Sequence, residues 1–380
     1  MNQTSFSPYA PMRLRDAEWW QFGTQAGQHG FVTRNGQIAE ALPQLIMKNL
    51  IDPTMEAAMR QADADGNGEH LGQLFAKLLQ QRHWVPLVAQ YNLSGKQIFD
   101  LDDNIVTMLR NTDVADCTLQ DWHPPYDAFF VRFGKQDDMK LPFDDGHEYL
   151  DGAFVAVTPW TTNGTERRLK IGLTTVKDDG SGVMMPGYFV DFSPEEQRLS
   201  PHQAIDAFIA RKFADLDSDE DKSERNLALI EIRKGEWEEG AVLLRKATEL
   251  VINCLFYIES IGADKELTPG RDVPPELHVK WQQTPPMRRF KVTQKLGSEG
   301  YTLVRLMGDE VQQGSSSPET GRADVSTHWR RGHWRRQAHG PQKALIKRVW
   351  IRPVLVNPTK PNEDIPGHVY AVGGSGNRVH

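Results

Sequence analysis

The sequence predicts an α+β fold with a helical N-terminal part, a body of mixed antiparallel sheet and helix, and a basic C-terminal β-hairpin. Three observations lead to this class. Apolar residues recur at helical spacing in the first 120 residues, short apolar runs bounded by turn residues follow, and an Arg/His/Trp segment with strand patterning begins at residue 327. The 380 residues suffice for one to three modules, which need neither metals nor disulfides for stability.

Residues 1–120 are predicted to be mostly helical. Two segments, 36–50 and 69–81, place apolar side chains at the intervals of an amphipathic helix. Between them, residues 63–68 resemble the start of a calcium loop, but Leu74 stands where such a loop needs a bidentate carboxylate. We therefore predict a turn there rather than a metal site.

Residues 121–310 are predicted to form an α+β body. Four short apolar runs bounded by Gly, Pro and Asp are typical of an antiparallel sheet, and they lie at residues 128–131, 153–157, 169–173 and 183–190. Acidic residues crowd between 137 and 151, where a carboxylate or metal site and a solvated hairpin loop are the alternatives. We favour the loop, because no helical register brings these groups together.

The rest of the body is predicted to contain helices. A helix over 204–213 precedes an exposed acidic connection, and the longest helical candidate lies near 237–261. The second half of that candidate is apolar almost all round, although Asn253 interrupts its longest apolar run, so we expect it to be buried. Cys254 on this helix is interpreted as a small buried hydrophobe rather than a nucleophile.

Composition excludes several classes of protein. With 39% apolar and 25% charged residues, the chain is neither disordered, collagen-like nor a coiled-coil rod. No apolar stretch approaches the roughly 18 residues that span a bilayer, the N-terminus shows no secretory signal, and two cysteines make no disulfide framework. We expect a cytoplasmic protein without a membrane partner. No phosphate-binding loop, dinucleotide fingerprint or nucleophile elbow occurs, so no cofactor is expected.

Charge is distributed unevenly along the chain. Residues 321–352 hold nine basic residues and one acid, a net charge of +8, which leaves 35 basic and 50 acidic residues, or −15, for the remainder of a chain whose net charge is −7. Such asymmetry predicts a polyanionic partner, most often a nucleic acid. The alternative is a basic patch docked on the protein's own acidic surface. Residues 311–326 have linker composition, 327–356 form the basic module, and 357–380 are predicted to be a flexible tail.

The basic module is predicted to be a β-hairpin. Its tetrad His-Trp-Arg-Arg occurs at 328–331 and again at 333–336, and the odd spacing of five turns the two copies to opposite faces of a strand. One face would carry His328, Arg330, Trp334 and Arg336; the other would carry Trp329, Arg331, His333 and Arg335. The partner strand is predicted over 345–352, after a turn at Gly340 and Pro341.

These residue types suit contact with RNA. Arg makes bidentate phosphate contacts, Trp offers a stacking surface for an unpaired base, and His donates to phosphate or transfers protons near neutral pH. The candidate RNA-binding residues are Arg330, Arg331, His333, Trp334, Arg335, Arg336, Lys347 and Arg348. Two alternatives stay open: a metal-independent endoribonuclease with His328 and His333 as the acid–base pair, and purely structural packing of Arg on Trp beside acidic partners. The histidine spacing fits no zinc site.

At this hairpin the sequence resembles the second family in the series of type V-A anti-CRISPR proteins, together with its relatives on phages and plasmids. The residues that carry the resemblance are His328, Arg330, Arg331, Gly332, His333, Trp334, Gly340, Trp350, Pro353, Val356 and Asn357. Within this set His328, Gly332, Gly340, Trp350 and Pro353 are taken as the structural motif. Weaker similarity extends upstream through 126–130, 149–157 and 243–258.

The resemblance implies indirect inhibition of a host defence. Family members are understood to lower production of the type V-A effector nuclease by recognising its nascent N-terminal segment and causing loss of its mRNA during translation. The expected partners are therefore mRNA or the ribosome and the nascent N-terminal peptide of a CRISPR effector or another target, with no DNA contact. A direct protein-binding inhibitor is a further alternative. Unless the chain is the endoribonuclease considered above, we do not expect it to be an enzyme.

Overall fold

The computed structural model describes residues 6–65, 71–143, 146–159, 166–181, 184–217, 224–262, 265–308, 328–343 and 345–356. It is a mixed α/β protein with a helical N-terminal part, a mixed eight-stranded sheet and a C-terminal β-hairpin, so the predicted fold class is confirmed. The predicted linker at 311–326 and the predicted tail at 357–380 lie outside the described residues.

The helices fall in the N-terminal part and in the second half of the chain. The first six are α1 (Ala10–Arg13), α2 (Glu18–Gln28), α3 (Leu42–Ile46), α4 (Asp52–Asp65), α5 (Leu71–Leu93) and α6 (Asp103–Arg110). The remaining five are α7 (Pro194–Gln197), α8 (Pro201–Asp217), α9 (Glu224–Ile261), α10 (Pro275–Gln283) and α11 (Pro286–Ser298). Across the described residues, no helix combines the length and the hydropathy needed to cross a lipid bilayer.

The strands fall into three sheets. Those of the main sheet are β1 (Ile98–Leu101), β3 (Ala128–Arg132), β4 (Lys140–Phe143), β5 (Gly146–Pro159), β6 (Arg167–Lys177), β7 (Met184–Phe192), β8 (Thr268–Pro269) and β9 (Leu303–Met307). The others are β2 (Thr112–Asp113), β10 (His328–Arg330), β11 (Gly332–His339), β12 (Leu345–Ile351) and β13 (Val354–Val356). The main sheet has the order β7-β6-β5-β3-β1-β9-β8, and β4 pairs with β5.

The described chain divides into two compact units. The first comprises Met1–Phe99, Pro124–Pro194 and Leu267–Arg305, and the second comprises Asp100–His123, Glu195–Glu266 and Leu306–His380. Each unit is assembled from three separate stretches of chain.

The first unit is built around antiparallel strands. The four apolar runs predicted as strands lie in β3, β5, β6 and, from Met184 onward, β7, and β5 pairs antiparallel with both β3 and β6. Helix α5 packs on this sheet through Trp84, whose ring meets Phe154 edge to face at 6.2 Å. Burial of several such aromatic side chains is the main stabilising contribution of this core.

Two local predictions in the first unit are wrong. The segment 36–50 was expected to be one helix, but Gly36 has φ +84°, Ile38 bridges to Val32, and the helix begins only at Leu42. A residue with a left-handed backbone conformation cannot continue an α-helix. The apolar residues of 36–50 are therefore divided between a β-bridge at Ile38 and a helix that begins at Leu42.

The acidic residues between 137 and 151 do not all form a solvated loop. Asp151 is 3% exposed at a register shift in β5, where it accepts from Arg13 at 2.6 Å and from Thr174 at 2.8 Å. Glu148 is also buried and bonded to Thr175. These carboxylates are ion-paired or hydrogen-bonded inside the sheet, as buried charges must be. Asp144, Asp145 and the end of the calcium-like segment, residues 66–68, lie outside the described residues.

The second unit is organised around α9. The stretch from Leu250 to Ile258 is buried throughout, Asn253 included. Cys254 is fully buried, and burial raises the pKa of its thiol well above the usual value, as expected for a packing residue rather than a nucleophile. The C-terminal hairpin belongs to the same unit.

Candidate nucleic-acid interface at the C-terminal hairpin

The hairpin forms as the sequence predicts. β11 and β12 pair antiparallel, with His333 opposite Ile351 and His339 opposite Leu345. Gly340 opens the turn with φ +77°, a conformation that glycine adopts without strain, and a short 3₁₀ turn follows. At its other end β11 adds parallel to β2, so the hairpin completes a three-stranded sheet.

The two His-Trp-Arg-Arg copies do not lie on one continuous strand. The first begins in β10, which pairs with β13 in a separate sheet, and Arg331 interrupts the strand before β11 begins. From Gly332 to Arg335 the predicted alternation holds, with Trp334 buried and His333 and Arg335 exposed, whereas residues 336–338 are all exposed. The hairpin thus has a packed face and an outward face.

The packed face is built on two stacked tryptophans. Trp334 and Trp350 are cross-strand partners whose rings lie 5.9 Å apart at an interplanar angle of 21°. Each also meets an aromatic ring of α9 edge to face, Trp334 with Phe256 at 5.7 Å and Trp350 with Tyr257 at 5.3 Å. Trp334 is 1% exposed, so in this structure it offers no ring face to a base, and we assign it to packing.

Asn253 joins the hairpin to the core by hydrogen bonds. Trp334 donates its indole N–H to Asn253 Oδ1 at 2.7 Å, and Asn253 Nδ2 donates to the carbonyl of Thr112 at 3.1 Å. Trp350 donates to Thr112 Oγ1 at 3.0 Å. Both indole groups of the packed face are therefore satisfied. The sequence offered one signal for this contact, a single amide in the longest apolar run.

Arg348 belongs to the packed face as well. Its guanidinium pairs with Glu259, lies 3.8 Å from the centre of the Phe256 ring, and donates to the carbonyl of Thr118 at 3.4 Å. The Arg348 side chain is only 8% exposed. This is the structural alternative considered for the hairpin, an arginine stacked on an aromatic ring and paired with an acid, and it applies to this residue.

Arg336 shares the same side of the strand but is more open. It pairs with Asp121 at 3.2 Å, and both side chains are about half exposed. Near these arginines Cys117 is buried, and burial raises the pKa of its thiol.

The outward face carries exposed cations that have no acidic partner among the described residues. Besides Arg336, the exposed basic residues of the described module are Arg331, His333, Arg335, Lys347 and Arg352. Within the described part of the chain, no ion pair involves Arg331, Arg335, Lys347 or Arg352, in contrast to Arg336 and Arg348. We call the three that strand pairing places opposite the packed face, His333, Arg335 and Lys347, the outward basic face; Arg352 instead lies 5.7 Å from the centre of the Trp350 ring, and Arg331 lies between two strands. Exposed cations without acidic partners attract a polyanion at long range.

Gly332 and Pro353 of the predicted structural motif pack against each other where the chain enters β11. A Cβ at Gly332 would lie 2.7 Å from Pro353 Cδ and 2.8 Å from the carbonyl of Ile351, so only glycine fits where the chain enters β11. The Gly332 N–H donates to the carbonyl of Asn111 at 2.8 Å. Pro353 is buried beside it.

The two histidines of the proposed acid–base pair lie on separate strands. His328 lies in β10 and His333 in β11, and these strands belong to different sheets. The structure describes the backbones of His328 and Arg330 but not their side chains, while the His333 side chain is exposed. Searched over the described residues only, the chain shows no group of three or more His, Cys, Asp or Glu that could hold a metal ion.

Comparisons with known proteins place most of the chain in one family. The model of the AcrVA2-like family, described as the anti-CRISPR type V subtype A2 family, matches residues 99–358, or 260 of the 380 residues. Among solved structures, the crystal structure of AcrVA2 is similar at 13% sequence identity with a TM-score of 0.38, over 91% of this chain and 96% of that chain. No curated protein matches the sequence.

Proposed function

The chain belongs to the anti-CRISPR type V subtype A2 family and so has an anti-CRISPR function; from this premise we propose that it acts on production of its target. In this proposal the protein recognises the nascent N-terminal segment of a host defence protein and promotes loss of the encoding mRNA during translation. The outward basic face contacts mRNA or ribosomal RNA. The protein would act in the cytoplasm on behalf of a mobile element such as a phage or plasmid.

The observation that carries the RNA contact is the separation of cations on the hairpin. Arg336 and Arg348 are paired with carboxylates, whereas Arg335 and Lys347 are exposed without an acidic partner among the described residues. Each Lys or Arg that neutralises a phosphate of RNA releases condensed counterions, so each contact of this kind makes the affinity more dependent on salt. The exposed cations are therefore available for phosphate at no cost in broken ion pairs.

The nascent-chain step is tested by recoding the target. Synonymous changes in the first codons of the target gene should leave repression intact, because the encoded peptide is unchanged. Missense changes that alter the same peptide should abolish repression. Loss of repression on synonymous recoding, with repression kept after missense recoding, would show that the protein recognises the message and not the peptide.

The RNA contact is tested on the purified protein. Protein prepared from cells should carry RNA, seen as a raised ratio of absorbance at 260 nm to that at 280 nm. The double variant Arg335→Ala/Lys347→Ala should lose that RNA, while Arg336→Ala, which removes a cation already paired with Asp121, should keep most of it. Wild-type protein free of RNA, together with no affinity for added RNA, would refute this part of the proposal.

A direct protein-binding inhibitor is the second candidate, and one observation favours it. The outward face also exposes Leu345, at 54%, and Ile351, at 36%. Apolar side chains beside cations are common at protein interfaces. If this candidate is correct, binding to the finished target protein should persist after nuclease treatment and RNA affinity should be negligible. The endoribonuclease hypothesis has no comparable support from the described residues.

A further inference from the structure

Strand β12 lies at an edge of the three-stranded hairpin sheet. The order of this sheet is β12-β11-β2, so β12 has a partner strand on one side only. Within the described part of the chain, no backbone group of β12 makes a hydrogen bond outside its ladder with β11. An edge strand of seven residues with unpaired backbone groups is a template on which a further strand can form.

The ladder determines which backbone groups of β12 face the open edge. Gly332 donates its N–H to the carbonyl of Asn111 on the β2 side, so the backbone groups of the next residue, His333, face β12. His333 is opposite Ile351, and the Ile351 carbonyl lies on the β11 side, 2.8 Å from the position of a Cβ on Gly332. The direction alternates along a strand. The N–H and C=O groups that point to the open edge are therefore those of Ile346, Arg348 and Trp350.

The side chains that β12 presents on the outward face are mostly apolar. Leu345 is 54% exposed, Ile351 is 36% exposed, and Val349 is half-buried. Lys347, between Leu345 and Val349 in this row, is exposed and has no acidic partner among the described residues. The outward side of the edge is thus an apolar row with one cation in it.

The backbone and the side chains of β12 together favour an extended polypeptide with a carboxylate. Backbone donors and acceptors at every second residue match another strand, whereas a nucleic acid presents no such series. Antiparallel pairing of two β12 strands would bring the outward basic faces of two copies together without an acid, so a second copy of this chain is the poorer match. A strand with a carboxylate beside Lys347 and apolar side chains on either side complements both the charge and the apolar row.

We propose that the open edge of β12 binds an extended peptide of another protein by antiparallel strand addition, the orientation that is more stable per residue. The peptide backbone bonds to Ile346, Arg348 and Trp350. A peptide carboxylate lies beside Lys347, and the apolar side chains two residues before and after it pack on Leu345 and Val349. Arg335, one strand away from the edge, remains available to phosphate. The proposed function assigns no surface to a peptide, so this site goes beyond it and is argued from the hairpin alone.

The experiment measures binding of a fluorescein-labelled peptide to the full chain by anisotropy, after bound nucleic acid has been removed with nuclease and a high-salt wash. The probe is Thr-Val-Thr-Glu-Thr-Val-Thr with blocked ends, which places Glu beside Lys347 and a Val on either side. Binding should saturate at one peptide per chain. No saturable binding up to about 1 mM peptide, an affinity of only about 4 kcal/mol, would overturn the proposal.

Two N-methylated probes test the backbone pairing. Methylation of the two Thr residues that flank Glu removes N–H groups that would donate to the edge, and should weaken binding about ten-fold or more. The control is methylation of the two Val residues, whose N–H groups point away from β12, and it should change the affinity less than about three-fold. Equal effects would refute the proposal, because strand pairing is what distinguishes alternate N–H groups of one peptide.

A charge swap tests the contact with Lys347. Lys347→Glu should weaken binding of the Glu probe at least about three-fold, and this variant should bind Thr-Val-Thr-Lys-Thr-Val-Thr more tightly than the wild-type protein does. The control, Lys291→Glu, makes the same charge change at an exposed lysine of the first unit and should alter neither affinity. Equal far-ultraviolet circular dichroism confirms that both variants are folded.

Identical binding by the Lys347→Glu and Lys291→Glu variants, with no gain for the Lys peptide, would contradict the assignment of the carboxylate. This assay contains neither RNA nor ribosomes. Its failure would therefore leave the RNA contact and the nascent-chain step of the proposed function as they stand, and failure of those steps would leave the peptide site as it stands.

Discussion

On the packed face of the C-terminal hairpin, Trp334 is 1% exposed and Arg348 is paired with Glu259, whereas on the outward face Arg335 and Lys347 are exposed without an acidic partner among the described residues. The two faces alternate along the same two strands and draw on the same residue types. The two faces differ in what they contact: the packed face lies against the aromatic and amide groups of α9, and the outward face does not.

The comparison shows that a basic, aromatic sequence is not by itself a nucleic-acid interface. Strand parity and the neighbouring helix decide which arginines remain available for phosphate. Substitutions on the packed face should therefore change the stability of the protein, and substitutions on the outward face should change RNA binding while sparing stability.

The largest effect is expected for Trp334→Ala. It empties a buried site between Trp350 and Phe256 and leaves the amide oxygen of Asn253 without its donor, so the free energy of unfolding should fall by about 3–5 kcal/mol in urea denaturation. The control is His333→Ala, one residue away on the outward face, which should change the free energy of unfolding by less than about 0.5 kcal/mol. Equal effects at the two positions would contradict the division into faces.

A smaller loss is expected for Arg348→Ala. The change removes the guanidinium from Glu259, which keeps its contacts with His123, and removes the cation over Phe256. Because the Glu259 side chain is 21% exposed, the penalty should be below that of a fully buried pair, about 1–3 kcal/mol in the same assay. Lys347→Ala, its exposed neighbour, serves as control, and a larger destabilisation by Lys347→Ala than by Arg348→Ala would refute the assignment.

Arg336→Ala should have a still smaller effect. Its ion pair with Asp121 joins two side chains that are about half exposed, and such pairs contribute about 0–1 kcal/mol. That contribution should fall further as salt is raised from 0.1 to 1 M, because ions screen exposed charges. A destabilisation above about 2 kcal/mol that does not depend on salt would mean that Arg336 packs like Arg348.

Local patterns in the sequence predicted the pieces of this fold better than their assembly. The antiparallel strands, the buried half of α9 and the hairpin partner at 345–352 follow from short-range alternation and turn residues. The attachment of the hairpin to Asn253 and Thr112 could not be predicted, since it joins residues far apart in the chain. The burial of Asp151 was missed for the same reason: its partner Arg13 is 138 residues away.

The same limit applies to the candidate site. The sequence identified the basic residues of the hairpin but could not sort them, because the acids that neutralise Arg336 and Arg348 come from a loop and from α9. Alternation alone predicted opposite faces for Trp334 and Arg335, which is correct within β11. It did not indicate which face would be covered.

The most direct test of the account is the salt dependence of RNA affinity in two double variants of the hairpin. For Arg335→Ala/Lys347→Ala we expect weaker binding to the single-stranded RNA rU12 and a slope of log K against log salt that falls by about 1.4, from roughly 0.7 per lost phosphate contact, with unfolding free energy unchanged within about 0.5 kcal/mol. For Arg336→Ala/Arg348→Ala we expect lower stability and, under conditions where the variant is folded, a slope close to that of wild type. The reverse pattern, in which the inward pair sets the slope and the outward pair does not, would contradict the account.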